Sequence, residues 1–378
     1  MRYLLMDILE CPYCRRFPLQ LHPLEQREQQ RSEGSDRTQR CRRYCAEWQR
    51  PLTATELGRG GCGRCLSAEI LRGVLRCGSC NRCYPIEDGI ASLMPDRYRP
   101  AGELAGLARF RSQLPPQVAP PSRLPSGSEP RGDQTQEIEI RDRESACYDA
   151  RYQREKFAAE MEVYQRLFDP RPGDWILELG CGTGRMTERL IDRCGHLIAV
   201  DFSLRSLEQC RRRLTAARRT KLTLLHADAS LLPCRAGAFD QLLAIGLLCN
   251  LPVELHQPVR DGMARALRPA GGLLLSAYNY SALQRLRGLL RISGTGRKSG
   301  RKPDGMAYYN FTPRELRRWL EPAFEITELI GSDNRLPLLQ HLSGRLSAGL
   351  DRRLTGTRLA RWLSARELTV RAIRRPER

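Results

Sequence analysis

Nowhere in the 378 residues do about 18 or more apolar positions run together, so no membrane span is expected. The opening MRYLLMDILE carries an acid where a signal peptide needs its apolar centre, which points to a cytoplasmic chain. Lysine is scarce: Lys156, Lys221, Lys298 and Lys302 are four among 63 basic residues, in a chain of net charge +20. A biased genome would produce such an arginine excess, so the total charge does not identify a partner. Its placement says more, because residues 281 to 320 hold 10 basic and 2 acidic side chains and residues 336 to 378 hold 10 and 3, or +8 and +7. Also missing is the last glycine of the dinucleotide pattern GxGxxG, since position 185 is Arg185; the nicotinamide reading loses ground. Fifteen cysteines without a secretion signal suggest reduced thiols and metal binding rather than disulfides, and nine of them precede residue 84.

What is present centres on WILELGCGTG, residues 175 to 184: an apolar run, a carboxylate at Glu178, then Gly180, Gly182 and Gly184. A buried parallel strand needs the apolar residues, and a tight strand-to-helix turn that lets a ligand reach the backbone needs the glycines. A second run, LIAVDF, ends in Asp201 and Phe202, with Asp201 21 positions after Gly180; an acid there can bond both ribose hydroxyls. A third, LTLLHADA, ends in Asp228 and Ala229, where a carboxylate can accept from an amino group such as that of adenine. In this order the three strand ends resemble the class I S-adenosylmethionine-dependent methyltransferases, of the kind that modify quinones and other small molecules. The resemblance covers roughly residues 140 to 375. It implies a Rossmann-like α/β sheet of seven strands, with Glu178, the three glycines, Asp201, Phe202, Asp228 and Ala229 lining the cofactor site.

Before that domain, Cys11 and Cys14 in LLMDILECPYC share their spacing with Cys77 and Cys80 in VLRCGSC. Two such knuckles supply the four thiolates of a closed structural zinc site. With the Tyr84, Pro85, Ile86 segment that follows, these words resemble the small zinc-binding activators of tRNA, rRNA and release-factor methyltransferases, implying a small α+β zinc ribbon over residues 1 to 97. The 63 positions from Cys14 to Cys77 exceed the interval expected of that family. An insertion at about residues 25 to 70 holds Cys41, Cys45, Cys62 and Cys65, either a second zinc site or incidental thiols in an arginine-rich, disordered stretch. Cys83 has no obvious partner in the sequence.

Residues 98 to 135 turn to Pro, Gly, Ser and Arg and read as a linker. Residues 143 to 168 have helical spacing; Tyr148 and Tyr152 there could close over the cofactor or pack in the core. Residues 239 to 251 read as a fourth strand and 271 to 279 as a fifth. Thr312, Pro313 and Glu315 form a capping-box signature for a helix, followed by strands at 324 to 330 and 367 to 374. Between those strands, in a basic insertion at about 336 to 364, Leu339, Leu342, Leu346, Leu350 and Leu354 recur at helical spacing. That helix could be a lid on its own domain, an RNA contact or an attachment to an anionic membrane.

The resemblances imply an S-adenosylmethionine-dependent methyltransferase, residues 136 to 378, fused to its zinc activator. The acceptor leans to RNA or an RNA-bound protein of the translation machinery; a quinone, lipid or sugar is the alternative, and a non-catalytic binding protein a third reading. Residues 246 to 250, after the fourth strand, lack the NPPY-type tetrapeptide of enzymes that methylate adenine or glutamine, which makes those acceptors less favoured. Asn250 there either orients an acceptor or starts a turn. No general base can be named from the sequence.

Overall fold

The structure, a computed structural model, describes residues 1–28, 41–53, 55–56, 68–99, 134–149, 154–290, 296–334 and 353–376. In chain order the strands are β1 (Gln20–Glu28), β2 (Tyr44–Cys45), β3 (Arg50–Pro51), β4 (Ala68–Arg76), β5 (Cys83–Glu87), β6 (Ile90–Ser92), β7 (Trp175–Leu179), β8 (His196–Asp201), β9 (Leu222–His226), β10 (Phe239–Ala244), β11 (Leu267–Tyr278), β12 (Ser299–Arg301), β13 (Ala307–Tyr309), β14 (Phe324–Asn334) and β15 (Ala365–Arg374). The helices are α1 (Thr135–Glu144), α2 (Arg154–Leu167), α3 (Arg185–Leu190), α4 (Leu204–Arg213), α5 (His256–Ala266), α6 (Ala282–Leu289), α7 (Pro313–Leu320) and α8 (Arg358–Leu363). Contacts divide the chain into two compact units: Met1–Arg131 with Arg171–Asp240, and Gly132–Pro170 with Gln241–Arg378.

In the first unit the strand order is β1-β4-β5-β6-β9-β8-β7. Every residue of β7, β8 and β9 is buried, as parallel strands covered on both faces require. They pair in parallel, from Trp175↔His196 to Leu179↔Val200 and from Leu197↔Leu222 to Asp201↔His226. The other side of β9 is taken by β6 of the cysteine-rich segment, also in parallel, through Ala91↔Leu225 and Ser92↔His226. The Leu93 N–H extends that ladder to the His226 carbonyl at 2.8 Å.

A second join lies at the amino terminus. Leu4, Leu5, Met6, Ile8 and Leu9 are all buried, each contributing roughly 1.5–3 kcal/mol. Leu9 bridges to Cys234, the Arg235 N–H donates to the Ile8 carbonyl at 2.9 Å, and the Glu10 N–H to the Pro233 carbonyl at 3.1 Å. Asp7, inside this apolar word, accepts the backbone N–H groups of Arg42, Arg43 and Tyr44 at 2.6, 2.9 and 2.6 Å. Burial raises its carboxyl above the usual range, against the pull of Arg235.

In the second unit the order is β10-β11-β15-β14. The last strand of the chain runs antiparallel to both neighbours, from Gly272↔Ile373 to Tyr278↔Glu367 on one side and from Phe324↔Arg374 to Asn334↔Ala365 on the other. With β7 to β9, these make up the seven strands of a Rossmann-like set. Helix α7 carries the expected capping box: Thr312 Oγ1 accepts from Glu315 N at 3.2 Å, and Glu315 accepts from Thr312 N at 3.0 Å. The run at 239 to 251 is strand only to Ala244, because Gly246 takes a left-handed φ of 65° and residues 248 to 250 form a 3-10 turn. Among the expectations above, Leu339, Leu342, Leu346, Leu350, Cys62, Cys65, Tyr152 and most of the linker lie outside the described residues.

Candidate functional site

The turn after β7 is built from three left-handed glycines, Gly180, Gly182 and Gly184, with φ of 70°, 53° and 84°. The N–H groups of Gly180 and Cys181 both donate to the Val200 carbonyl, at 2.8 and 3.1 Å, which ties the turn to the end of β8. A Cβ on Gly184 would lie 2.5 Å from Cys210 Sγ, so this glycine lets α4 approach the turn. A Cβ on Gly182 would meet nothing within 4 Å, so its face opens onto space. That is the division of labour a ligand-cradling turn needs: one glycine for packing, one for backbone access.

Asp201 closes the turn from the β8 side. Its Oδ2 accepts the Gly182 N–H at 2.8 Å and its Oδ1 the Ser203 N–H at 2.9 Å. Ser203 in turn caps α4, accepting from Ser206 N at 3.1 Å. Asp228 Oδ1 accepts from Ser230 N at 2.8 Å and fixes the turn after β9, beside buried Ala229. Phe202 presents its carbonyl to His226 Nε2 at 3.2 Å, and His226 Nδ1 meets Ser92 Oγ of β6 at 3.0 Å. A chain of hydrogen bonds thus runs from the cysteine-rich segment to the loop after Asp201.

Glu178 is buried at the end of β7 and accepts from Thr187 Oγ1 of α3 at 2.7 Å. Burial pushes its carboxyl up to about 8, with the hydrogen bond from Thr187 opposing and the charge of Asp201 assisting. An unfolded glutamate titrates near pH 4.3, so between about 4.3 and 8 the unfolded chain loses a proton that the folded chain keeps. The contribution of Glu178 to stability is therefore full below that window and is lost as pH rises through it. Thermal melts of Glu178→Gln should match the parent near about pH 4.5 and exceed it near about pH 9; identical melts at both would refute a protonated Glu178.

Cys11, Cys14, Cys77 and Cys80 come together with all four sulfur atoms within 4.8 Å of one another. Cys11 to Cys80 is 3.5 Å and Cys14 to Cys77 is 3.4 Å, near the roughly 3.8 Å edge of a tetrahedron with zinc–sulfur bonds of about 2.3 Å. The knuckles are local copies of each other. Cys11 N donates to Arg16 O and Arg15 N to Cys11 O, while Cys77 N donates to Arg82 O and Asn81 N to Cys77 O, all at 2.9 Å. Arg15 and Asn81 take matching left-handed φ values of 59° and 58°. The donor set fits a closed structural zinc site. Cys41 and Cys45 are buried at the β2 hairpin pinned by Asp7. Cys83 is buried on β5 with its thiol toward the Asn81 carbonyl at 3.7 Å, and burial pushes that thiol up to about 11.

In the second unit Asn250 donates to Gly246 O at 2.9 Å and accepts from Lys302 Nζ at 3.0 Å. Its amide thus braces its own turn. Burial lowers the Lys302 ammonium below its usual range. Tyr164 of α2 donates to Glu367 at 2.7 Å, and Tyr148 lies under the Arg141 guanidinium at 5.3 Å. The sequence reading missed Thr187, Ser203, His226 and Lys302. The capping position of Ser203 ahead of α4 was a findable signal; the others depend on contacts distant in sequence.

Two family models match the chain, a methyltransferase domain over residues 176–271 and a Trm112p-like protein over residues 2–89. The chain therefore carries a class I S-adenosylmethionine-dependent methyltransferase domain behind a Trm112p-like domain. It is 34% identical over 114 residues to a demethylmenaquinone methyltransferase of Clavibacter sepedonicus, covering 30% of this chain and 45% of that protein. It is 30% identical over 102 residues to a ribosomal RNA small subunit methyltransferase A of Methylibium petroleiphilum, covering 27% of this chain and 38% of that one. The chain thus spans less than half the length of either relative. Among solved structures it is similar to the complex between the Haloferax volcanii Trm112 methyltransferase activator and a putative methyltransferase, at 16% identity and TM-score 0.44, over 64% of this chain and 96% of that one. No helix among the described residues is long and apolar enough to cross a membrane.

Proposed function

We propose that this chain is an S-adenosylmethionine-dependent methyltransferase that carries its activator-like zinc ribbon in the same polypeptide. The observation that carries the reading is Asp201 joined to Gly182 at 2.8 Å beside the open face of that glycine. S-adenosylmethionine, when bound, supplies a methyl group already made electrophilic by the sulfonium. Glu178, the backbone at Gly180, Gly182 and Gly184, Phe202 and Ala229 would hold it, with Asp201 accepting from ribose hydroxyls and Asp228 from the adenine amino group. What remains for the chain is to hold an acceptor in line and exclude water. The Ser92–His226–Phe202 hydrogen bonds support the idea that the ribbon steadies the cofactor loop. Cys11, Cys14, Cys77 and Cys80 would hold one structural zinc, and Cys41, Cys45, Cys62 and Cys65 are the candidates for a second.

RNA or an RNA-bound protein is supported as acceptor by the likeness of the ribbon to activators of translation-directed enzymes and by the +8 and +7 segments. A quinone or lipid is supported by a more specific observation, the leucine and tryptophan faces of α6 and α8 left open to solvent. We adopt the second reading. The test is calorimetry with S-adenosylmethionine, then transfer of its labelled methyl group to lipid, RNA and protein extracts, with elemental analysis of zinc. Saturable cofactor binding, one or two zinc ions per chain and label in the lipid fraction are expected. Absence of cofactor binding by folded, zinc-loaded protein would sink the enzyme reading, and label in RNA the choice of acceptor.

A further inference from the structure

Nine large apolar side chains are exposed among the described residues, and six of them sit at two helices. Leu286, Leu289 and Leu290 lie at the end of α6, and Leu359, Trp362 and Leu363 on α8. On each helix they recur at i, i+3 and i+4, the spacing that lines one face and is ordinarily buried. Here Leu289 is 80% exposed and Leu359 and Trp362 are each 63% exposed. The helices are tied together: Asn279, just before α6, donates from Nδ2 to the carbonyls of Arg361 and Ala365 at 2.8 and 2.7 Å. The two faces therefore belong to one part of the second unit.

The charge carried by the two helices has one sign. Arg285 and Arg287 on α6 and Arg358 and Arg361 on α8 are accompanied by no acid on either helix. Arg361 Nη1 donates to the Leu329 carbonyl at 2.6 Å, and Arg285 lies over the Tyr280 ring. Among the described residues no carboxylate pairs with any of the four.

An occupant must satisfy both properties. RNA would pair with the arginines and could stack a base on Trp362, but offers little to the five exposed leucines of these faces. A second copy meeting this face about a two-fold axis would bring arginines against arginines. At a bilayer surface, apolar side chains enter the acyl boundary while arginines meet anionic headgroups, and tryptophan favours that interface. We propose that α6 and α8 form a peripheral docking surface for an anionic lipid bilayer. The inference shares its observation with the choice of a lipid or quinone acceptor but not with cofactor binding, because it uses none of the residues assigned to the cofactor.

The test is co-sedimentation of the full chain with vesicles of phosphatidylglycerol in phosphatidylcholine, against phosphatidylcholine alone. Binding should require the anionic lipid and weaken with salt. Leu289→Glu with Trp362→Glu should lower the partition coefficient by at least about 30-fold. Arg285→Gln and Arg287→Gln should each cost about fivefold, on anionic vesicles only. A blue shift of tryptophan emission on binding should vanish in Trp362→Phe while Trp48, Trp175 and Trp319 remain. Thermal melts and cofactor titration on the same samples separate loss of docking from loss of fold or of the enzyme reading. The proposal is overturned by failure to bind anionic vesicles, by binding indifferent to the glutamate variants, by RNA binding that those variants abolish in its place, or by self-association lost in Trp362→Glu.

Discussion

Cys77→Ser should dismantle the amino-terminal half of the first unit. The serine oxygen replaces one of four sulfur atoms lying within 4.8 Å of each other, the ligands proposed for a zinc, and structural zinc sites contribute on the order of 10 kcal/mol of folding free energy. The loss should spread beyond the knuckle, since the turn opened by Cys77 joins β4 to β5. With the ribbon loosened, β6 separates from β9 and leaves the edge of β9 unpaired, a template for aggregation. Zinc content should fall by one per chain, limited proteolysis should cut within residues 1–97, and the protein should aggregate at temperatures the parent withstands. A variant that keeps full protease resistance without the metal would show that the apolar packing of Leu4 to Leu9 suffices alone.

Asp201→Ala should produce the largest loss of cofactor affinity. The substitution removes a charged acceptor proposed for the ribose and leaves the Gly182 and Ser203 N–H groups without their partner at 2.8 and 2.9 Å. Hydrogen bonds to a charged group are worth about 1.5–3 kcal/mol each, so affinity for S-adenosylmethionine should drop by roughly ten- to more than a hundredfold. Asp201→Asn, which keeps one acceptor oxygen, should fall between parent and alanine variant. Calorimetry on variants shown to be folded makes the comparison. If Asp201→Ala bound as tightly as the parent, the carboxylate would serve only to shape the turn.

The parts of this arrangement that were legible in the sequence are those written within a few residues. The all-buried strands with an acid at the end, the three glycines, the paired knuckles and the Thr312–Glu315 box each declare themselves locally, because backbone conformation, capping and chelation are local requirements. What could not be read is pairing across distance. Ser92 and His226 meet 134 positions apart, and nothing in IASLMP says that β6 will lie beside LTLLH. Asp7 looked only like an acid that spoils a signal peptide, whereas it receives three backbone N–H groups from residues 35 to 37 positions away. The faces of α6 and α8 posed the reverse problem. Their spacing reads as ordinary core helix, and exposure is a property only the folded chain reveals.

The parallel seam between β6 and β9 would also fix a relation of supply under the activator reading proposed above. A separate activator can be shared among several enzymes, so each enzyme's activity depends on how much activator its competitors leave. Under that reading, tethering would replace that competition with a local concentration of millimolar order and a ratio of one to one. Because β9 has β8 on one side and the chain's own β6 on the other, a separate ribbon that docked in the same way would find the edge of β9 already paired. Dosage of such a protein elsewhere in the cell should leave this enzyme untouched.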